Sequence, residues 1–206
     1  MYRFKYLVMP FIFAFILFGC GSSGGSSSDT GKKVSLSGIV SDGPIKDSVV
    51  KFKNKKTGKY LEVETTTKEN GVFNTTVKIA TSDDIHNYII EAKGGKDTVT
   101  DVDFTGVVLK TDMALFDKIE GLVISPITSM VTEKVENGAK VSVAKQEVQT
   151  VLDIEEKDLL SDPSKSKNQN LKVKALQIAY LLTNGFPSKS IAKSIKGTKK
   201  DISIMR

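Results

Sequence analysis

One cysteine in 206 residues, Cys20, constrains this chain more than any other feature of its sequence. A lone thiol forms no intramolecular disulfide and supplies no cysteine cluster for zinc. Stability must therefore come from packing. With 39% hydrophobic residues, the 187 residues from Cys20 to Arg206 can build one large core or two small ones.

The N-terminus carries Arg3 and Lys5 and then an almost wholly apolar stretch from Tyr6 to Phe18, the pattern of a secretory signal peptide. The run is shorter than the roughly 20 residues that a helix needs to span a bilayer, so a permanent membrane span is not expected. The segment that follows, Leu17-Phe18-Gly19-Cys20, resembles the lipobox of bacterial lipoproteins. That resemblance implies recognition by the signal peptidase through Leu17 and Gly19, cleavage after Gly19, and lipidation of Cys20. A thiol can take a diacylglyceryl group as a thioether, and in the resembling proteins the cysteine carries more than one acyl chain, palmitate among them. Two or more chains anchor a protein stably, whereas one does so only marginally. Gly21 stands where Asp marks inner-membrane retention in those proteins, so the outer membrane or cell surface is the expected destination.

Four segments are expected: a signal peptide over 1–19, the lipidated cysteine and a Gly/Ser tether over 20–31, a β-rich domain over 32–117, and an α-helical domain with a basic tail over 118–206. The tether has no apolar side chain to bury. As a flexible coil it spans on the order of 20 Å.

In the β-rich region, β-branched and aromatic runs separated by turn residues predict strands at 34–40, 48–53, 60–67, 72–79, 88–93 and 103–109. Val34 and Leu36 alternate onto one face, and Tyr60-Leu61-Glu62-Val63-Glu64 repeats the pattern more weakly. Asp42-Gly43-Pro44, Lys56-Thr57-Gly58-Lys59, Glu69-Asn70-Gly71 and Gly94-Gly95 are the expected reversals. The stretch Ser37-Gly38-Ile39-Val40-Ser41-Asp42-Gly43-Pro44-Ile45-Lys46-Asp47-Ser48-Val49-Val50, with Thr65 to Phe73, resembles a carboxypeptidase-regulatory-like domain. The likeness covers roughly residues 34 to 80 and implies an antiparallel, prealbumin-like β-sandwich, non-catalytic where it accompanies an enzyme and a spacer or adhesive module elsewhere. The expected fold class is α+β, this sandwich followed by a small helical domain.

Helical spacing begins after Gly121-Leu122-Val123-Ile124. Ser125 suits an N-cap and Pro126 the first helical position. Ile127, Met130, Val131, Lys134 and Val135 mark one face, and Asn137-Gly138 a stop. A second helix is expected from Ser142, carrying Ala144, Val148, Val151 and Leu152 inward and ending before Pro163. A third, from Asn168 to Asn184, puts Leu171, Ala175, Ile178, Ala179 and Leu182 on one side. Val173, Leu176 and Tyr180 widen that stripe, which predicts a helix buried between neighbours. Ser125-Pro126-Ile127-Thr128-Ser129-Met130-Val131 resembles a segment of bacterial surface lipoproteins in which a helical domain follows a regulatory-like one. The likeness covers roughly residues 85 to 160; its Ser and Thr are explained by capping and turn bonds, so no nucleophile is implied. Such proteins are often longer, and a truncated gene product is an open reading of the chain's end.

Charge is uneven. Residues 29–163 hold 18 basic and 23 acidic side chains, whereas 164–206 hold ten basic ones and a single acid, Asp201. The basic tail could lie on anionic lipid or acidic envelope polymers, or serve simply as a solvated face. Nucleic acid is not an expected partner, because no aromatic residues interleave with the lysines.

Catalytic candidates are few. His86 has no cysteine or second histidine beside it for metal binding and no nucleophile-elbow serine, and reads as a strand-edge residue. Asp83-Asp84, Glu155-Glu156 and Asp101-Val102-Asp103 are carboxylate pairs of the kind surface loops supply, and the Asp97–Asp103 cluster lacks EF-hand spacing. Asn74-Thr75-Thr76 matches a glycosylation sequon that a bacterial cell would usually leave idle. No catalytic, cofactor-binding or metal residue is therefore assigned. The expectation is a non-catalytic, lipid-anchored cell-envelope protein, either a surface interaction or adhesion module for glycan or protein, or a periplasmic structural lipoprotein bracing an envelope complex.

Overall fold

The computed structural model describes residues 31–194. Leu17, Gly19 and Cys20 lie outside them, as does the part of the basic tail beyond Ser194. The described chain is mixed α+β, with three sheets and five helices.

Strand β1 (Gly31–Val40) pairs antiparallel with β5 (Val72–Ala80) over its whole length, from Gly31 opposite Ala80 to Ile39 opposite Val72. The other edge of β1 takes a parallel strand, β9 (Leu122–Ile124). This sheet is thus mixed, where an antiparallel one was expected. The short apolar run 122–124 read as a break before the helix because three buried residues carry no alternation. A four-stranded antiparallel sheet runs in the order β4 (Tyr60–Thr66), β3 (Val49–Asn54), β6 (Tyr88–Lys93) and β8 (Val108–Asp112). Two-residue strands β2 (Ile45–Lys46) and β7 (Lys96–Asp97) pair separately.

Five expected strands appear within three residues of their expected bounds. The sixth is displaced: Asp103 makes only an isolated bridge with Lys96, residues 104–107 form a turn, and the strand starts at Val108. There the Asp103 carboxylate accepts from the Thr105 N–H at 2.7 Å and Gly106 adopts φ +83°. Side-chain capping by Asp and a positive φ favour reversal over extension. Glycine is also required in β1. A Cβ on Gly38 would stand 2.5 Å from the Leu122 carbonyl oxygen and 2.8 Å from the Phe73 ring, so the two neighbouring strands close over a position only glycine can fill.

Helix α1 (Pro126–Glu136) begins as expected, with a capping box in which Ser125 Oγ accepts from the Thr128 N–H and Thr128 Oγ1 from the Ser125 N–H. Its hydroxyls do more than cap. Strand β8 is an outer strand, and an outer strand leaves backbone groups unpaired. Ser129 Oγ accepts from the Lys110 N–H at 2.8 Å, Thr132 Oγ1 accepts from the Asp112 N–H at 2.9 Å, and Thr128 Oγ1 donates to the Lys110 carbonyl at 3.0 Å. Residues 125, 128, 129 and 132 share one helical face, so a row of hydroxyls replaces the missing neighbouring strand. Thr132→Val keeps the shape and leaves the buried Asp112 N–H without a partner; urea unfolding is expected to register a loss of about 1–3 kcal/mol. A loss within error would mean that this edge is satisfied by other means.

Helix α2 (Val141–Leu152) starts one residue before its expected position, without a side-chain cap, and buries Ala144, Val148 and Leu152. Asp153, at φ +55°, ends it, and the short helix α3 (Glu156–Leu159) follows. Helix α4 (Gln169–Thr183) is capped by Asn168, whose side chain accepts from the N–H groups of Asn170 and Leu171. It buries Leu171, Ala175, Ile178, Ala179 and Leu182. Val173, Leu176 and Tyr180, expected inside, are 48%, 46% and 68% exposed. The helix is therefore packed on one side only; apolarity alone placed the second stripe in the core. Helix α5 (Ser188–Ser194), not foreseen, follows Pro187 and packs on α1 through the segment that buries Ile191 and Ala192. One hydrophobic core takes in Val34 and Leu36 of β1, Val50 and Phe52 of β3, Met130 and Val131 of α1, and Leu171 and Ala175 of α4.

Candidate functional site

The turn between α4 and α5 stands over the face of β6 and β8 and encloses a groove of about 410 Å³. Cavities of a few hundred Å³ suit small ligands or the end of a chain molecule. Gly106, Val107, Val108, Leu182, Phe186 and Pro187 supply much of its wall, and Phe186 is 54% exposed. Gly185, at φ +82°, and Pro187 set the turn that carries the ring.

Glu91, Lys110 and Ser188 are the charged and hydroxyl side chains lining the groove. Glu91 accepts a 2.7 Å hydrogen bond from the Tyr60 hydroxyl and lies 3.7 Å from the Lys53 ammonium. Lys110 sits between Glu133 and Glu136, 2.8 Å from each, and Ser188 Oγ donates to Glu133 at 2.6 Å. Lys53 reaches Glu136 at 3.6 Å, joining the groups into one network. Burial works against the charge on Lys110, but its hydrogen bonds to Glu133 and Glu136 outweigh that and hold its pKa above the ordinary lysine value. Burial likewise works against the Glu133 carboxylate; the bonds from Lys110 and Ser188 outweigh it and lower its pKa. The hydrogen bond to Glu91, aided by burial, pushes Tyr60 up to about 12. Lys110 and Glu133 thus stay charged through neutral pH. Such an arrangement orients hydrogen-bonding groups beside an exposed ring, and β3, β4, β6 and β8 with α1 hold them in place.

The residues weighed from sequence are dispersed. His86 lies in a 3₁₀ turn (Ile85–Asn87), where its Nδ1 is 2.8 Å from Asp84; it is not on a strand edge. Asp84 caps that turn, and Asp83 accepts from Asn54, Asn87 and Tyr88. Glu155 pairs with Lys157 and Glu156 with Lys145. Asp101 pairs with Lys96, Asp103 caps its turn, and buried Asp97 accepts from the N–H groups of Gly43, Val99 and Thr100. Each carboxylate has its own protein partners. Gly94 and Gly95 have positive φ but join β6 to β7, strands of different sheets, so they are a connection between sheets and not the expected hairpin reversal; Asn74-Thr75-Thr76 lies within β5. Sequence reasoning missed the groove because Glu91, Lys110, Glu133 and Ser188 have no local spacing in common; the exposed Gly-Phe-Pro turn was the one legible sign.

Among the described residues, no group of three or more potential ligands could hold a metal ion, and no helix is long and apolar enough to cross a membrane. No protein-family model, curated protein or solved structure matches the chain.

Proposed function

We propose that this is a non-catalytic, lipid-anchored cell-envelope protein, an interaction module whose α4–α5 groove binds glycan. The anchor rests on Leu17-Phe18-Gly19-Cys20 after a short apolar run. The binding role rests on the groove, where the Glu91 carboxylate and the Lys110 ammonium share a wall with the exposed Phe186 ring. Carboxylates and ammonium groups take hydrogen bonds from and give them to sugar hydroxyls, while an aromatic face covers the apolar C–H side of a pyranose. The two larger sheets, which share a core, are read as the sandwich that the regulatory-like resemblance implies, and it serves as a rigid mount.

Two measurements test the reading. A tagged chain on intact cells is expected to be cut by added protease, and Cys20→Ser to be released from membranes washed in high salt, which screens any attraction of charge to lipid; a variant that stays bound through that wash removes the lipid anchor from the proposal. Saturation-transfer NMR with hexose and N-acetylhexosamine oligosaccharides is expected to show contact that Phe186→Ser and Glu91→Gln weaken at least tenfold. No transfer to any sugar would overturn the glycan role.

A further inference from the structure

The outer face of α4 pairs an apolar stripe with one-signed charge. Val173, Leu176 and Tyr180 recur at helical spacing on the side opposite the core, and all three are exposed. Lys172 and Lys174 fall on the two flanks of that stripe, and no ion pair engages either of them among the described residues. From 163 to 194 the chain has six lysines and no acid, whereas 31 to 162 holds 18 basic and 22 acidic side chains. The charge is thus polarised along the chain, net positive over 163 to 194, which holds α4 and α5, and net negative over 31 to 162.

We propose that this face of α4 docks on an anionic lipid surface, with Tyr180, Leu176 and Val173 entering the headgroup boundary and Lys172 and Lys174 reaching the lipid phosphates. An apolar stripe bordered by lysines is the pattern of helices that lie in the membrane interface. Long lysine stems let the ammonium stay in the headgroup layer while the methylenes cover apolar surface. The acidic remainder of the fold is repelled by the same surface, which selects this side. Charge complementarity decides for lipid over a second copy, since two such faces would bring like charges together. The docking does not depend on the lipid at Cys20.

The chain contains no tryptophan, so Tyr180→Trp in the full chain installs one reporter on an exposed position. On vesicles of phosphatidylglycerol and phosphatidylcholine at low salt, its emission is expected to shift to the blue and to be quenched by brominated lipid. On phosphatidylcholine alone it is expected to stay water-exposed, even where flotation finds the chain attached through its N-terminus. Adding Lys172→Gln and Lys174→Gln should lower the ratio of docked to undocked α4 about thirtyfold, from two lysines near the surface. Emission unchanged on anionic vesicles that carry the chain would overturn the proposal. So would docking indifferent to lipid charge, or a blue shift that grows with protein concentration without vesicles, which would assign the face to a second copy. Flotation reports the anchor and the tryptophan reports α4, so failure of one is distinguishable from failure of the other.

Discussion

Phe73→Ala is expected to lower the free energy of unfolding by about 3–5 kcal/mol, the range for removing a fully buried aromatic ring. Phe73 is 1% exposed, on β5, and its ring lies over Gly38, where β1 lacks a Cβ. Ring and glycine are complementary in shape. Truncating the ring leaves a cavity that a paired backbone cannot collapse to fill, because β1 is held on one edge by β5 and on the other by β9. The complementary change, Gly38→Ala, should not be rescued by shrinking Phe73, since the Leu122 carbonyl oxygen still blocks the new methyl. Urea unfolding followed by circular dichroism, with the slope against denaturant checked for constancy, measures both. A loss below 1 kcal/mol for Phe73→Ala would mean that the ring is not packed as described.

Asp42 is expected to make the fold less stable in mild alkali than in mild acid. It is 8% exposed. Burial, and then the charge of Asp97, push its pKa from 3.8 up to about 7. One of its oxygens, Oδ1, is buried without a hydrogen-bond partner. A carboxyl whose folded pKa is raised binds its proton more tightly when folded, so its contribution to stability is complete below about pH 4. That contribution declines as pH rises through 7 and is gone above it. Three units correspond to about 4 kcal/mol over the whole range, of which about 2–3 kcal/mol falls between pH 5 and 8. Asp42→Asn cannot ionise and should remove that slope, gaining most over the parent at pH 8. Parallel pH profiles for parent and variant would show that Asp42 is not the group responsible.

Local chemistry made much of the fold legible. Asn70-Gly71 turns where it should, with Gly71 at φ +73°, because positive φ is a property of the residue itself. Ser125-Pro126 starts a helix for a similarly local reason. What failed needed knowledge of neighbours. Leu122-Val123-Ile124 is a strand because β1 offers an open edge 84 residues earlier in the chain. Val173, Leu176 and Tyr180 face outward because Leu171, Ala175 and Ile178 already fill the contact with the core. The groove was illegible for the same reason: Lys110 and Glu133 meet only once α1 lies along β8. Ser129 and Thr132 read as helix residues with no special task, since nothing in their own segment reveals an unpaired strand edge beside them.

The parallel pairing of β1 with β9 also orders events in time. A ribosome must deliver residue 124 before β1 gains its second neighbour, and a loop of about 80 residues must close to bring the two strands together. Loop closure over that distance costs entropy before any contact repays it, and topologies dominated by such distant pairings assemble slowly. The first sheet is thus among the earliest segments synthesised and among the last completed, and the nascent chain spends that interval open to whatever machinery handles unfolded polypeptide.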